Sequence, residues 1–266
     1  FLPGRGLSVD ITLTYRSRSA YNGPFGYGWD LSYHKRLRKL SDNNIVYLNG
    51  ENRKDEFAYN GTSTYDAPPG IFDTLVQNID GTYTLTSKHG LKEQYDVNGV
   101  LTTIEDRNGN SLAFAYDPVG LLPIIGQSAY FVNQTTGVIG RDYRLAQITD
   151  TSGRIISFAY NADGRLDAIT YEGRTITYGY DPNQTGDLLT VTMPPTPDVP
   201  SGATTAYTYT SHNLETVTDP KGQTYLTNVY DQAFDCLTQQ TYGTGTSAVT
   251  SFDSTTCPTV AGSGTP

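Results

Sequence analysis

A chain of 266 residues with 21 Tyr, 27 Gly, 14 Pro, two Cys and only 17% charged residues is long enough for one large all-β domain or two ordinary ones. Its formal net charge of −9, with "HKRLRKL" at His34 to Leu40 as its densest basic run, argues against nucleic acid as a partner. No apolar run approaches the ~20 residues of a spanning helix, so no membrane span is expected in this region.

Tyr and Thr suit half-buried pleated surfaces, and Gly, Asn and Asp punctuate them, so the composition predicts many short strands joined by tight turns and almost no helix. The opening "FLPGRGLSVDITLTY" lacks the charged start, apolar middle and small-residue cleavage site of a signal peptide. Next comes an aromatic cluster, "YNGPFGYGWDLSY", Tyr21 to Tyr33. Phe25, Tyr27, Trp29, Leu31 and Tyr33 are all odd-numbered, which places them on one face of a predicted strand. Two readings compete for these rings together with Tyr21: exposed aromatics that stack on sugars, with glycans as partners, or a plug at the start of the repeats. The strict alternation of Trp29 favours the plug. The basic run that follows also alternates, and reads as decoration of a solvated strand face.

Beyond residue 90 the chain repeats itself. The tyrosines that end predicted strands are Tyr95, Tyr116, Tyr160, Tyr180, Tyr209 and Tyr230, separated by 21, 44, 20, 29 and 21 residues, mostly one or two units of about 21. The spacing of 29 contains the Pro-rich "MPPTPDVPSG", residues 193–202, which reads as an inserted loop. Turns at "DRNGN" (Asp106), "DTSGR" (Asp150) and "DPKGQ" (Asp219) carry a second phase, so each unit holds two strands and two turns. Leu112, Phe114 and Tyr116 fall on one face, as do Ile156, Phe158 and Tyr160.

The tyrosine supplies a large ring with a polar tip. The residue after it, as in Asp96, Asp117, Asn161, Asp181 and Asp231, caps a turn by accepting backbone amides, and a nearby glycine takes the positive φ. One hairpin is barely stable in water, whereas stacked hairpins bury a continuous face.

"YDVNGVLTTIEDRNGN", "YNADGRLDAITYEGR" and "YDPNQTGDLLTVT" resemble the tyrosine-aspartate (YD) repeats of rearrangement hotspot (Rhs) proteins, bacterial wall-associated proteins, toxin-complex C components and teneurins. "PGRGLSVDITLTYRSRSAYNGPFGYGWDLSYHKRL" is similar to the opening of the Rhs core, and "DGTYTLTSKHGLKEQYD" also matches, so the resemblance covers about residues 3–232. It implies an all-β fold of repetitive antiparallel hairpins in a spiralling ribbon or shell. Residues 1–90 would form the opening and plug, 91–232 the YD-repeat ribbon, and 233–266 an irregular tail or further repeats. The implied role is a structural shell, extracellular or on the cell surface, that encloses a C-terminal polypeptide or toxin. Its partners would be the remainder of the same polypeptide and, through sheet edges, further copies. The alternative is an adhesion or filament module that binds glycans or neighbouring cells.

Family members that cut themselves use aspartates near the end of the core, and none of those motifs is present, so no catalytic residue is assigned. G-x-S-x-G, phosphate-loop and H-E-x-x-H patterns are absent too, and no enzyme activity, cofactor or metal is expected. His34, His89 and His212 lie far apart and read as strand or surface residues. Cys236 and Cys257 either close one disulfide or stand as two isolated thiols.

Overall fold

The structure, a computed structural model, describes residues 6–19, 21–117, 131–132, 139–140, 144–183, 186–231, 236–243 and 249–251. Those residues form strands and turns without a helix, so the fold is all-β. The chain divides into two compact units, one of residues 1–15, 22–25 and 29–173, the other of residues 16–21, 26–28 and 174–266.

In the first unit every ribbon strand from Arg36–Lys39 to Leu166–Tyr171 pairs antiparallel with the next. Pairing thus starts well before the first repeat tyrosine. A short strand, Leu13–Tyr15, pairs separately with Trp29–Leu31. The second unit is a ribbon of the same kind, from Arg174–Tyr180 to Val249–Ser251.

One five-residue turn recurs among these hairpins. At Asp96, Asp106, Asp150, Asn161 and Asp219 the first residue donates its amide to the carbonyl four residues on, and its own carbonyl accepts from the glycine three residues on. The Oδ1 atoms of Asp96, Asp106, Asp150 and Asp219 each accept two further amides, two and four residues ahead. The glycine must be left-handed for the chain to close, and Gly99, Gly109, Gly153, Gly164 and Gly222 all have φ between +78° and +80°. Turn chemistry therefore fixes register, and register fixes which face is buried. In Ser111–Asp117 and Ile155–Tyr160, Leu112, Phe114, Ile156 and Phe158 are buried while Ala113, Ala115, Ile155, Ser157 and Ala159 are exposed. The Pro-rich stretch is a compact loop between Leu188–Thr192 and Thr204–Thr210, closed by the Met193 amide on the Ala203 carbonyl at 2.9 Å.

Candidate functional site

The repeat tyrosines share one structural position. Tyr95, Tyr116, Tyr160, Tyr180, Tyr209 and Tyr230 each follow a register shift, a β-bulge, and each stands across from a leucine: Leu101, Leu145, Leu166, Leu188, Leu214 and Leu237. All but Leu237 are buried, at 0% to 6% exposure. The bulge interrupts the ladder beside the leucine, and at Leu145, Leu188 and Leu214 the next repeat supplies a partner for its carbonyl. The Tyr160 hydroxyl donates to the Leu145 carbonyl at 2.9 Å, and the Tyr209 hydroxyl to the Leu188 carbonyl at 2.8 Å. At Leu214 the donor is instead the Asn228 amide, at 2.9 Å, which also lies 3.4 Å from the Tyr230 hydroxyl. At Tyr160 and Tyr209 this explains tyrosine rather than phenylalanine: the ring fills the face and the tip repairs the bulge of the preceding repeat.

Of the turn residues, Asp96 and Asn161 cap the five-residue turn, and the Asp181 Oδ1 accepts the Asn183 amide in a longer one. Asp117 ends its strand exposed, and Asp231 pairs in register with Cys236. Cys236 is buried, and its candidate partner Cys257 lies outside the described residues.

The aromatic cluster is not one strand. It breaks into Asn22–Gly23, Gly26–Tyr27 and Trp29–Leu31, because Gly26 and Gly28 turn to φ +108° and +75° and interrupt the pleat. Burial no longer follows odd numbering: Asn22 and Asp30 are as buried as Phe25, Trp29, Leu31 and Tyr33. In the first unit Trp29 packs on Tyr15 with ring centroids 5.3 Å apart, and Tyr33 packs on Phe114 at 5.6 Å. The Arg165 guanidinium donates to the Gly23 carbonyl, and the Leu166 amide to the Pro24 carbonyl at 2.7 Å. In the second unit Tyr21 is half-buried and Tyr27 stacks on His212 at 4.1 Å, while His212 Nδ1 lies 2.9 Å from Asp187 Oδ1.

The basic run does not decorate a solvated face. His34, Arg36 and Leu37 are buried and Lys35 is half-buried. His34 Nδ1 lies 2.8 Å from Asp30 Oδ1, and Arg36 donates to the His34 carbonyl at 2.7 Å. Burial opposes ionisation of Asp30, yet the charge and hydrogen bond of His34, then the Arg36 charge, hold its carboxyl below the ordinary value. On the neighbouring residue, Lys35 Nζ lies 2.5 Å from Glu93 Oε1 and 3.1 Å from the Tyr47 hydroxyl. Glu93 Oε2 accepts from the hydroxyls of Tyr47 at 3.1 Å and Tyr95 at 2.5 Å.

Two family models match the chain: a domain of unknown function (DUF6531) at residues 1–57 and the Teneurin YD-shell at residues 70–199. The chain belongs to the Rhs/YD-repeat family. Curated relatives of this YD-repeat chain include the tRNA3(Ser)-specific nuclease WapA of Bacillus spizizenii, 26% identical over 85% of the chain, and the tRNA nuclease WapA of Bacillus subtilis, 25% identical over the same share. The YD-repeat chain spans 9% of the length of either relative. The N-terminal domain of effector protein SpvB from Salmonella typhimurium aligns over 94% of the chain and 96% of its own length, at 15% identity. Its TM-score is 0.38.

Burial raises several phenols of the YD repeats and their neighbours above their ordinary value. Burial pushes Tyr65 and Tyr230 up to about 12. Burial also raises Tyr47, Tyr95, Tyr116 and Tyr178, with the Glu93 charge adding to it at Tyr47 and Tyr95. A phenol raised in the folded state keeps its proton longer there than in the unfolded chain, so its stabilisation is complete below about pH 10 and is lost as pH rises beyond it. The expected result is cooperative alkaline unfolding, with tyrosinate absorbance and loss of β-sheet dichroism rising in one transition. Gradual tyrosinate formation near pH 10 with the sheet intact would show the rings to be accessible.

Proposed function

We propose that this chain is the opening stretch of a curled wall, secreted or displayed outside the cell, which encloses another part of the same longer polypeptide. In this reading residues 1–90 hold the plug, residues 91–232 the readable repeats, and residues 233–266 lead onward. The observation that supports it is the bulge at one fixed place in every repeat, from Tyr95 to Tyr230. A bulge bends and twists its strand pair in a set sense, so a bulge recurring in every second ribbon strand from Tyr95 onward bends the ribbon within each unit, the local requirement of an enclosing wall. The relatives' names describe tRNA nucleases; we assign this chain the wall rather than the cutting, because the carboxylates of Asp96, Asp106, Asp150 and Asp219 are occupied by their own turns. The adhesion reading would need ring faces open to sugars, and Phe25, Trp29 and Tyr33 turn theirs into the core at 1%, 7% and 8% exposure.

The test is limited proteolysis of the full natural protein. A segment outside these residues should survive protease while the fold is intact and be cut once mild denaturant opens the wall. Equal cleavage of every outside segment in native and denatured protein would remove enclosure and favour an open surface module.

A further inference from the structure

We infer that the first unit contains a seam, where the strand Arg36–Lys39 meets the tip of the Asp96–Val100 turn, and that the Lys35–Glu93 ion pair is its latch. Ribbon neighbours pair over at least two residues, as Thr64–Asp66 does on each side, and mostly over more, as Arg36–Lys39 does with all of Ile45–Leu48. At the seam, by contrast, the backbone contributes an isolated bridge, Arg36 to Val100, and one hydrogen bond from the Leu37 amide to the Gly99 carbonyl at 2.8 Å. Side chains do the rest. Lys35, the residue just before the strand, reaches across the junction, while Arg36 braces the segment that leads into the strand. Lys35 reaches Glu93 and Tyr47, whereas Arg36 holds the His34 carbonyl and lies 3.9 Å from Asp30. Around the latch, Tyr47 and Tyr95 donate to Glu93, with Arg53 and Asp73 near Tyr47 and Tyr116 near Tyr95.

The chemistry of this contact suits a joint that parts. A buried apolar contact loses free energy whenever it opens, because its surface meets water. A buried ion pair differs: desolvation offsets most of its attraction, and parting returns both charges to water. With Glu93 only 6% exposed and Lys35 at 20% side-chain exposure, the pair is shielded when shut and able to hydrate when open. Elsewhere in the ribbon even the shortest ladders, on either side of Thr64–Asp66, have two pairs, so the seam with its isolated bridge is where the unit opens first. This inference rests on the strand junction alone and holds whether or not the wall encloses anything.

The experiment is native-state hydrogen exchange on the full protein, read in peptides spanning residues 35–40 with residues 155–160 as reference. For Glu93→Gln, exchange across 35–40 should rise about tenfold while the reference stays within about twofold, since one charge-assisted contact is weakened locally. The combined variant Lys35→Met/Glu93→Leu/Tyr47→Phe/Tyr95→Phe replaces the ions by apolar groups of similar size and removes the two hydroxyls that donate to Glu93, and there the seam should exchange no faster than in the native protein. The inference is overturned if Glu93→Gln accelerates both peptides alike, if it leaves 35–40 unchanged, or if the combined variant loosens the seam. Should Glu93→Gln not fold, the combined variant decides alone.

Discussion

Replacing Gly99 with alanine is expected to lower stability by about 3 kcal/mol, combining a left-handed backbone penalty with a main-chain collision. Gly99 has φ +80°, and a Cβ there would lie 2.2 Å from the Leu37 carbonyl oxygen. No rotamer relieves that contact, because the backbone fixes where the Cβ stands and the oxygen is itself main chain, so the hairpin tip has to retreat from the strand Arg36–Lys39. Gly109 is the control. It occupies the same position of the same turn at φ +79°, but a Cβ there meets nothing within 4 Å. Gly109→Ala should therefore cost only about 1–2 kcal/mol, the left-handed penalty by itself. Urea melts of the two variants measure the difference. Equal losses would mean that the tip does not touch the strand.

The hairpins, the capping carboxylates and the six tyrosines were legible because each is written within a few residues. An Asp or Asn followed by a glycine three positions on encodes a turn, and a turn sets its own register. The leucine facing each tyrosine was not legible as a partner: it stands a variable distance beyond, from Leu214 just after Tyr209 to Leu145 across a long insertion after Tyr116. The latch was hidden for a stronger reason. Lys35 and Glu93 are 58 residues apart and Tyr47 and Glu93 are 46 apart, so the pairing exists only once the ribbon has curled. A basic strand is ordinarily solvated, and burial of Lys35 and Arg36 depends on acceptors that local pattern does not reveal. The aromatic cluster misled in the opposite direction. Odd numbering implies one face only while the backbone stays pleated, and Gly26 and Gly28 end the pleat twice within it.

Leu166→Ala is expected to cost about 3–4 kcal/mol, in the range of fully buried leucines cut back where neighbours cannot collapse. Leu166 has no exposed surface and faces Tyr160 across its bulge, and its amide is tied to the Pro24 carbonyl at 2.7 Å. The backbone on both sides is thus fixed, and the lost side chain leaves a cavity rather than a closed gap. Leu237 holds the equivalent place opposite Tyr230 but is half-exposed, so Leu237→Ala should cost about 1 kcal/mol. Tyr160→Phe isolates the other half of the unit. It keeps the ring and removes the donor to the Leu145 carbonyl, for an expected loss of about 1–2 kcal/mol. Chemical denaturation of the three variants ranks them. If Leu166→Ala costs no more than Leu237→Ala, stability does not reside in the tyrosine–leucine pairs, and the repeat is held by its turns and ladders alone.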